Sequence, residues 1–130
     1  MKTAALALVL GVLAAAAPPQ TTNWSQARPV EVRLSNFAFA PASLNLPANQ
    51  PISLTLVNDA GGGHNFSAPA FFSAAAIEPG EQGLVVNGTV EVPGHARKVI
   101  RLVPAAGRYP LRCTHTLHTT FGMKGRIIVE

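Results

Sequence analysis

Apolar and polar residues alternate in short runs along most of the chain. In residues 29–35, Val30, Val32 and Leu34 alternate with polar positions, and residues 52–58 show the same pattern. A period of two is typical of a β-strand with one buried face. Similar runs predict further strands at residues 43–49, 64–69, 88–93, 97–103, 108–113 and 125–130.

Helix signals are almost absent from the rest of the sequence. Eleven prolines and eleven glycines separate the predicted strands. Residues 70–78, "AFFSAAAIE", are the one plausible helix, predicted as a short flap between strands. About eight short strands divided by turn residues predict an all-β protein, a Greek-key sandwich or barrel.

The N-terminal segment has the pattern of a targeting sequence. Lys2 precedes fourteen apolar or small residues, 4–17. This length is short of the roughly 20 residues of a membrane-spanning helix but suits a secretory signal. We therefore predict a signal peptide over residues 1–16, a flexible lead-in over 17–28 and one domain over 29–130. The protein is expected to be exported, either periplasmic or secreted, without a stable membrane anchor after cleavage.

The charge of the chain is mildly basic. Ten Lys and Arg residues stand against six Asp and Glu, a net charge of +4, which becomes +3 once Lys2 is removed (nine minus six). The basic residues are scattered rather than clustered, unlike those of a nucleic-acid-binding arm. We expect a monomer that does not bind nucleic acid and has a weak preference for acidic partners.

The only cysteine, Cys113, lies in a cluster of possible metal donors. Cysteines of exported proteins normally pair, so a single one suggests a buried thiol, an intermolecular bridge or a metal thiolate. His115, His118 and Met123 follow it, with four residues between Cys113 and His118 and four between His118 and Met123. A loop between two strands can bring these side chains together. His64, which follows a glycine-rich segment, is the candidate for a further donor.

The donor types narrow the choice of metal. Magnesium and calcium prefer oxygen ligands, and structural zinc sites usually contain more cysteine. A thiolate and two imidazoles with a weak axial thioether are the ligands of blue-copper sites. Four protein ligands leave no open position for a substrate, which favours a carrier over an enzyme.

Several segments resemble the cupredoxins, the blue-copper family that includes plastocyanin, azurin and auracyanin. The resemblance covers residues 31–130 and is carried by "GGGHNF", "AAGRYPLRC", the Cys-x4-His-x4-Met spacing and "GMKGRIIV". It implies one type 1 copper ion held by His64, Cys113, His118 and Met123. The gap between cysteine and histidine is similar to that of azurin and auracyanin.

Two histidines remain outside this ligand set. His115 departs from the family pattern, but only His118 keeps the family spacing to Met123. We therefore expect His115 to be a solvent-facing residue near the site. His95, within "PGHAR", is expected to be a turn residue.

The resemblance also implies a role for Asn65 and Thr114, which directly follow His64 and Cys113. The Asn65 amide is expected to hydrogen-bond the Thr114 hydroxyl and tie the two ligand segments together. The backbone N–H of Asn65 is expected to point toward the Cys113 sulfur. The alternative is that Asn65 merely completes the glycine-rich turn.

The function implied by the resemblance is that of an exported, non-enzymatic copper protein that carries single electrons between redox partner proteins. Two alternatives remain open at this point. One is a copper-binding or copper-delivery protein, in which His115 and His118 assist transfer. The other is a cupredoxin-like accessory domain of metal uptake without redox work.

Overall fold

The computed structural model describes Gly11, residues 21–118 and residues 120–130. Apart from Gly11, the predicted signal peptide lies outside these residues. The described part of the predicted lead-in contains a 3₁₀ helix, Trp24–Gln26, in which Asn23 accepts a hydrogen bond from the backbone N–H of Ser25. Across the described ranges, no helix has the length and apolar character needed to span a membrane.

Strands dominate the described part of the chain, which contains ten of them and one α-helix. The strands are β1 (Arg28–Ser35), β2 (Ala38–Ala40), β3 (Ser43–Leu46), β4 (Ile52–Asn58), β5 (His64–Ser67), β6 (Ala76–Ile77), β7 (Thr89–Val92), β8 (Arg97–Val103), β9 (Gly107–Arg112) and β10 (Lys124–Val129). The helix α1 spans Pro69–Ala74, and a second 3₁₀ helix spans Pro79–Leu84.

These strands form two sheets that pack face to face. In the described residues, the first sheet has the order β2-β1-β4-β8-β6 and the second the order β3-β10-β9-β5-β7. The chain crosses from one sheet to the other several times, and β1 pairs with β4 in parallel, as β3 does with β10. The prediction of an all-β fold with one short helix is confirmed, and the architecture is a sandwich rather than a closed barrel.

The predicted helix over residues 70–78 was too long. The observed helix ends at Ala74, and Ala75 is already extended, with φ −84° and ψ 152°. Ala76 and Ile77 then form β6 at the edge of the first sheet, where Ile77 pairs with Leu102. Pairing with β8 satisfies backbone groups at the sheet edge, which outweighs the helix propensity of the alanines.

The alternating residues of the sequence form the core between the sheets. Ile52, Leu54 and Leu56 of β4 are fully buried, while the residues between them are partly exposed. Complete burial of one such side chain contributes about 1.5–3 kcal/mol. Phe66 and Phe72 add an edge-to-face contact with ring centroids 5.9 Å apart. This core fixes the relative positions of the strands that carry the predicted ligands.

A buried asparagine organises the glycine-rich segment before β5. The Asn58 side chain is buried and donates to the carbonyl oxygens of Gly62 (2.9 Å) and Val92 (3.0 Å). Its Oδ1 accepts from the N–H of Ala60 at 2.9 Å. These bonds hold the segment against the end of β7, so that the chain enters β5 at a fixed angle.

Gly94, in the turn after β7, is expected to be essential for the close packing of this turn against Gly61 of the glycine-rich segment. A Cβ at residue 94 would overlap the carbonyl oxygen of Gly61, whereas a Cβ at Gly62 would meet nothing within 4 Å. Gly94→Ala should therefore lower the free energy of unfolding by about 1–3 kcal/mol, the usual cost of overpacking. Chemical denaturation measures the difference, with Gly62→Ala as control. Equal stability of the two variants would contradict this account.

Candidate metal centre

Three of the four predicted ligands come together at one end of the second sheet. The donor atoms of His64, Cys113 and His118 all lie within 4.8 Å of one another. The Cys113 Sγ lies 3.3 Å from His118 Nδ1 and 3.9 Å from His64 Nδ1. The two Nδ1 atoms are 3.1 Å apart. His64 and Cys113 are buried and His118 is half-buried, so the cluster lies just beneath the surface.

Strand register explains why residues distant in sequence meet here. His64 begins β5, where it pairs with Val92 of β7. On its other side, β5 runs antiparallel to β9, with Ser67 opposite Arg112. Continuing that register past the end of β9 brings Cys113 and the residue after it beside the start of β5. The strand register thus directs the cysteine toward the histidine, although the backbone pairing itself ends at Ser67 and Arg112.

The fourth predicted ligand, Met123, is fully buried and lies where the loop returns to β10. Its carbonyl oxygen accepts from the N–H of Cys113 at 3.1 Å, and its own N–H donates to the carbonyl oxygen of His118 at 2.9 Å. The backbone of Met123 is therefore joined directly to both ligand residues of the loop. This closes the loop between β9 and β10 around the three donors.

The chemistry of this group fits copper better than a hard cation. In the described part of the chain, the group consists of two imidazoles and one thiol, without a carboxylate. The backbone N–H of Asn65 points at the Cys113 Sγ, 3.4 Å away, as expected, and stabilises negative charge on the sulfur. Sulfur and imidazole donors suit copper, whereas magnesium and calcium favour oxygen.

The electrostatics of His64 favour the form that binds a metal. Burial lowers the pKa of His64, and the neighbouring His118 and His115 imidazoles lower it further. The neutral imidazole, which is the ligand form, therefore persists to lower pH than in an ordinary histidine.

Hydrogen bonds join the residues that follow the two buried ligands. Asn65 Nδ2 donates to Thr114 Oγ1 at 2.7 Å, which is the bond expected from the sequence. In addition, the backbone N–H of Thr114 donates to Asn65 Oδ1 at 2.8 Å. The Asn65 side chain is buried and makes specific bonds, so it does more than complete a turn.

Glu91 of β7 is a site residue that the sequence analysis missed. Its Oε1 accepts a hydrogen bond from Asn65 Nδ2 at 2.7 Å, and its Oε2 lies 2.9 Å from His115 Nε2. Burial alone would raise the pKa of Glu91, but the bonds from Asn65 and His115 outweigh burial and lower it. The available signal was the alternation in residues 88–93, which turns Glu91 away from the core, toward the face it shares with Asn65.

The His115 side chain is less exposed to solvent than expected and has two defined contacts. Its side chain is 33% exposed and is held by Glu91. Its ring stacks on that of His118, with centroids 5.4 Å apart and an interplanar angle of 26°. His115 therefore packs against a ligand instead of simply facing solvent. His95 lies in the turn between β7 and β8 with φ 58°, as predicted for a turn residue.

The loop between β1 and β2 supplies two further neighbours that the sequence did not indicate. Asn36 Oδ1 lies 3.3 Å from His64 Nε2, the nitrogen that faces away from the other donors. The Phe37 ring meets that of His118 edge-on, with centroids 5.2 Å apart. These contacts orient both imidazoles from the first sheet.

Comparison with known proteins assigns this fold and site to a class. The sandwich, with a cysteine and two histidines gathered at one end, is that of a copper-binding β-sandwich. The sequence matches the family model of the cupredoxin-like domain over residues 3–129, so the chain belongs to the cupredoxin-like family. His64, Cys113, His118 and Met123 are arranged as a type 1 copper site. No curated protein matches the chain.

Solved structures give the same fold. Auracyanin B is 25% identical, with a TM-score of 0.56 over 87% of this chain and 93% of that chain. Dithionite-reduced auracyanin from Roseiflexus castenholzii is 19% identical, with a TM-score of 0.58 over 80% and 98%. The McoA multicopper oxidase from Aquifex aeolicus is 13% identical, with a TM-score of 0.60 over 88% of this chain but only 32% of that chain. The two less identical structures indicate the fold alone.

Removal of the Asn65 side chain is expected to loosen the site. Asn65→Ala removes three hydrogen bonds to Thr114 and Glu91. Since one such bond contributes about 0.5–1.5 kcal/mol and the exposed partners can bond to water instead, the loss should be about 1–3 kcal/mol. Denaturant unfolding of the metal-free protein measures this loss. Asn45→Ala, an exposed change on β3, serves as control and should leave stability unchanged. If both variants unfold alike, the Asn65 bonds do not hold the site together.

Proposed function

We propose that this protein is an exported carrier of single electrons that works through one type 1 copper ion. The proposal is carried by one observation, the meeting of Cys113 Sγ, His64 Nδ1 and His118 Nδ1 within 4.8 Å at the end of a rigid sandwich. Copper bound there would supply one-electron chemistry by alternating between Cu(I) and Cu(II). The donors are of the types that serve both oxidation states.

The chain's own residues would keep the donor geometry fixed during electron transfer. Backbone bonds join Met123 to Cys113 and to His118, and Asn65 ties the start of β5 to the loop. Since these groups are bonded before any metal arrives, little ligand movement is needed on oxidation or reduction. The N–H of Asn65 at the Cys113 sulfur favours the electron-rich thiolate and so contributes to the reduction potential.

His118 offers a route by which an electron would reach the surface. It is the least buried of the three clustered donors. Exposed apolar residues surround it: Phe37 (40% exposed), Leu117 (59%) and Phe121 (61%). Phe37 contacts both the His118 ring and the Phe121 ring, each with centroids 5.2 Å apart. Exposed apolar groups gathered in this way mark contact sites for other molecules, here a redox partner protein.

A carrier role is preferred over an enzymatic one. His64, Cys113, His118 and Met123 together would fill the coordination of a type 1 copper ion, and a catalytic metal site keeps a position open. The match to the multicopper oxidase supports the fold but not its activity, because this chain spans about a third of that one.

A copper-delivery protein is the second candidate. The observation in its favour is His115, a third imidazole that is stacked on His118 and one-third exposed. A partly exposed imidazole of this kind would take up copper at the surface and pass it to the buried donors.

A visible spectrum of protein from copper-supplemented cells distinguishes an electron carrier from a copper-delivery protein. A carrier should be intensely blue when oxidised and cycle reversibly, and a delivery protein should lack the strong band and exchange its copper.

The cellular setting is also part of the proposal. Residues 1–16 have the pattern of a secretory signal, which supports export to the periplasm or outside the cell. There the protein would act as a monomer between redox partner proteins, with a weak preference for acidic ones.

Cys113→Ser is expected to abolish the blue colour. The intense visible absorption band of a type 1 site arises from charge transfer from a thiolate to copper. A serine hydroxyl cannot take the place of the thiolate in this transition. The substitution is nearly isosteric, so circular dichroism should show an unchanged β-fold, which is the control. A Cys113→Ser protein that is still blue would exclude the proposed site.

Met123→Leu is expected to keep the colour and raise the reduction potential. A weak axial thioether shifts the relative stability of the oxidation states more than it binds the metal. Spectroelectrochemistry measures the potential. Ile127→Leu, a volume-conserving change in the buried face of β10, is the matched control and should not alter it. Complete loss of copper from Met123→Leu would show that the thioether is a principal ligand.

A further inference from the structure

The outward face of β9 and β10 carries an unusual concentration of positive charge. We call this surface the basic face and define it by four exposed residues: Arg108, Arg112, Lys124 and Arg126. The antiparallel register sets Lys124 directly opposite Arg112 and Arg126 opposite Pro110. Alternation along each strand turns Leu111 and Ile127 into the core and these cations outward. The four charges therefore share one side of one strand pair.

The charges of the basic face are not balanced by nearby acids. Among the described residues, none of the four cations makes an ion pair. Most of the acidic side chains are engaged elsewhere: Glu31 and Asp59 with Arg33, Glu78 and Glu81 with Arg101, and Glu91 with His115. Glu130 follows β10 at the end opposite Lys124. A surface with four unpartnered cations attracts a negatively charged partner.

The basic face is continuous with the metal centre through the backbone. Arg112 directly precedes Cys113, and Lys124 directly follows Met123. In each pair the ligand residue is buried and the cation is exposed. A partner bound to Arg112 and Lys124 would therefore be one residue along the chain from two of the proposed copper ligands.

A groove in this face gives the partner a definite place to bind. It has a volume of about 260 Å³, and its lining includes the cations Arg112 and Lys124 together with Pro69 and Pro110. Apolar walls beside two cations suit the aliphatic stem and carboxylate of an acidic side chain. The exposed phenylalanines of the described residues, Phe37 and Phe121, lie beside His118 and not on the basic face, so this face lacks an aromatic anchor for a lipid surface.

We propose that the basic face is the docking surface for an acidic partner protein, whose Asp or Glu side chains enter the groove lined by Arg112 and Lys124. The inference rests on the proposed function in one respect, since it takes that protein to be one of the carrier's two electron partners, distinct from the one that contacts the apolar residues around His118. Docking there would place the partner beside the strand ends that carry Cys113 and Met123. Charge complementarity of this kind mainly speeds encounter and selects partners.

The experiment uses a hexaglutamate peptide as the acidic probe. Isotope-labelled protein, both metal-free and loaded with reduced copper, is titrated with the peptide and followed by amide NMR shifts. We expect the largest shifts at residues 108–112 and 124–126, and weaker binding as salt is added. Arg112→Gln combined with Lys124→Gln should weaken binding about threefold to tenfold, the size expected for two exposed ion pairs.

The matched control removes the same charge from the other sheet. Arg28→Gln combined with Arg97→Gln changes exposed cations of β1 and β8 that make no ion pair within the described ranges. Equal weakening by both double variants would show that only net charge matters and would overturn the proposal. Shifts that map outside β9 and β10 would do the same.

Two further measurements distinguish the proposed docking surface from a lipid-binding surface and test it separately from the electron-carrier role. Vesicles of phosphatidylcholine with phosphatidylglycerol are offered to the same variants in a sedimentation assay. If the vesicles bind through Arg112 and Lys124 and displace the peptide, the face is a lipid-binding surface and the proposal is wrong. If the protein is blue but does not bind the peptide, the docking-surface proposal is wrong and the electron-carrier proposal stands. A colourless protein that binds the peptide at this face supports the surface and overturns the electron-carrier role.

Discussion

The metal centre depends on the hydrogen bonds between Asn65 and the residue that follows Cys113. Two bonds, from Asn65 Nδ2 to Thr114 Oγ1 and from the Thr114 N–H to Asn65 Oδ1, extend the pairing of β5 and β9 beyond the end of β9. Backbone pairing alone would end at Ser67 and Arg112. The asparagine side chain thus replaces a further backbone pair between the two strands, and the thiol is held beside His64 as a result.

The supports of the site come from both sheets, although the ligands belong to the second sheet and its loop. Asn58, at the end of β4, fixes the segment before His64, and the loop after β1 places Asn36 against the outer nitrogen of that imidazole. Glu91 adds a third contact by holding Asn65 and His115 with its two oxygens. Because these groups satisfy one another, the polar surroundings of the donors cost little to bury.

The sequence predicted the long strands well because alternation reports burial directly, as in residues 52–58 and 97–103. It missed β2 and β6, which are two or three residues long and too short for a periodic signal. The donors were predictable because unusual side chains recur at short spacing between Cys113 and Met123. Glu91 and Asn36 were not, since their roles depend on register and loop position, which a sequence without a structure does not specify.

The parallel pairing of β3 with β10 brings Ser43 opposite Arg126, so the second sheet is completed only when distant parts of the chain meet. Contacts of such long sequence separation are slow to form. Before the strands around it have paired, the Cys113 thiol would be accessible to oxidants and to the thiols of other chains. In an oxidising compartment, slow completion of this sheet would therefore leave the sulfur exposed to oxidation for longer.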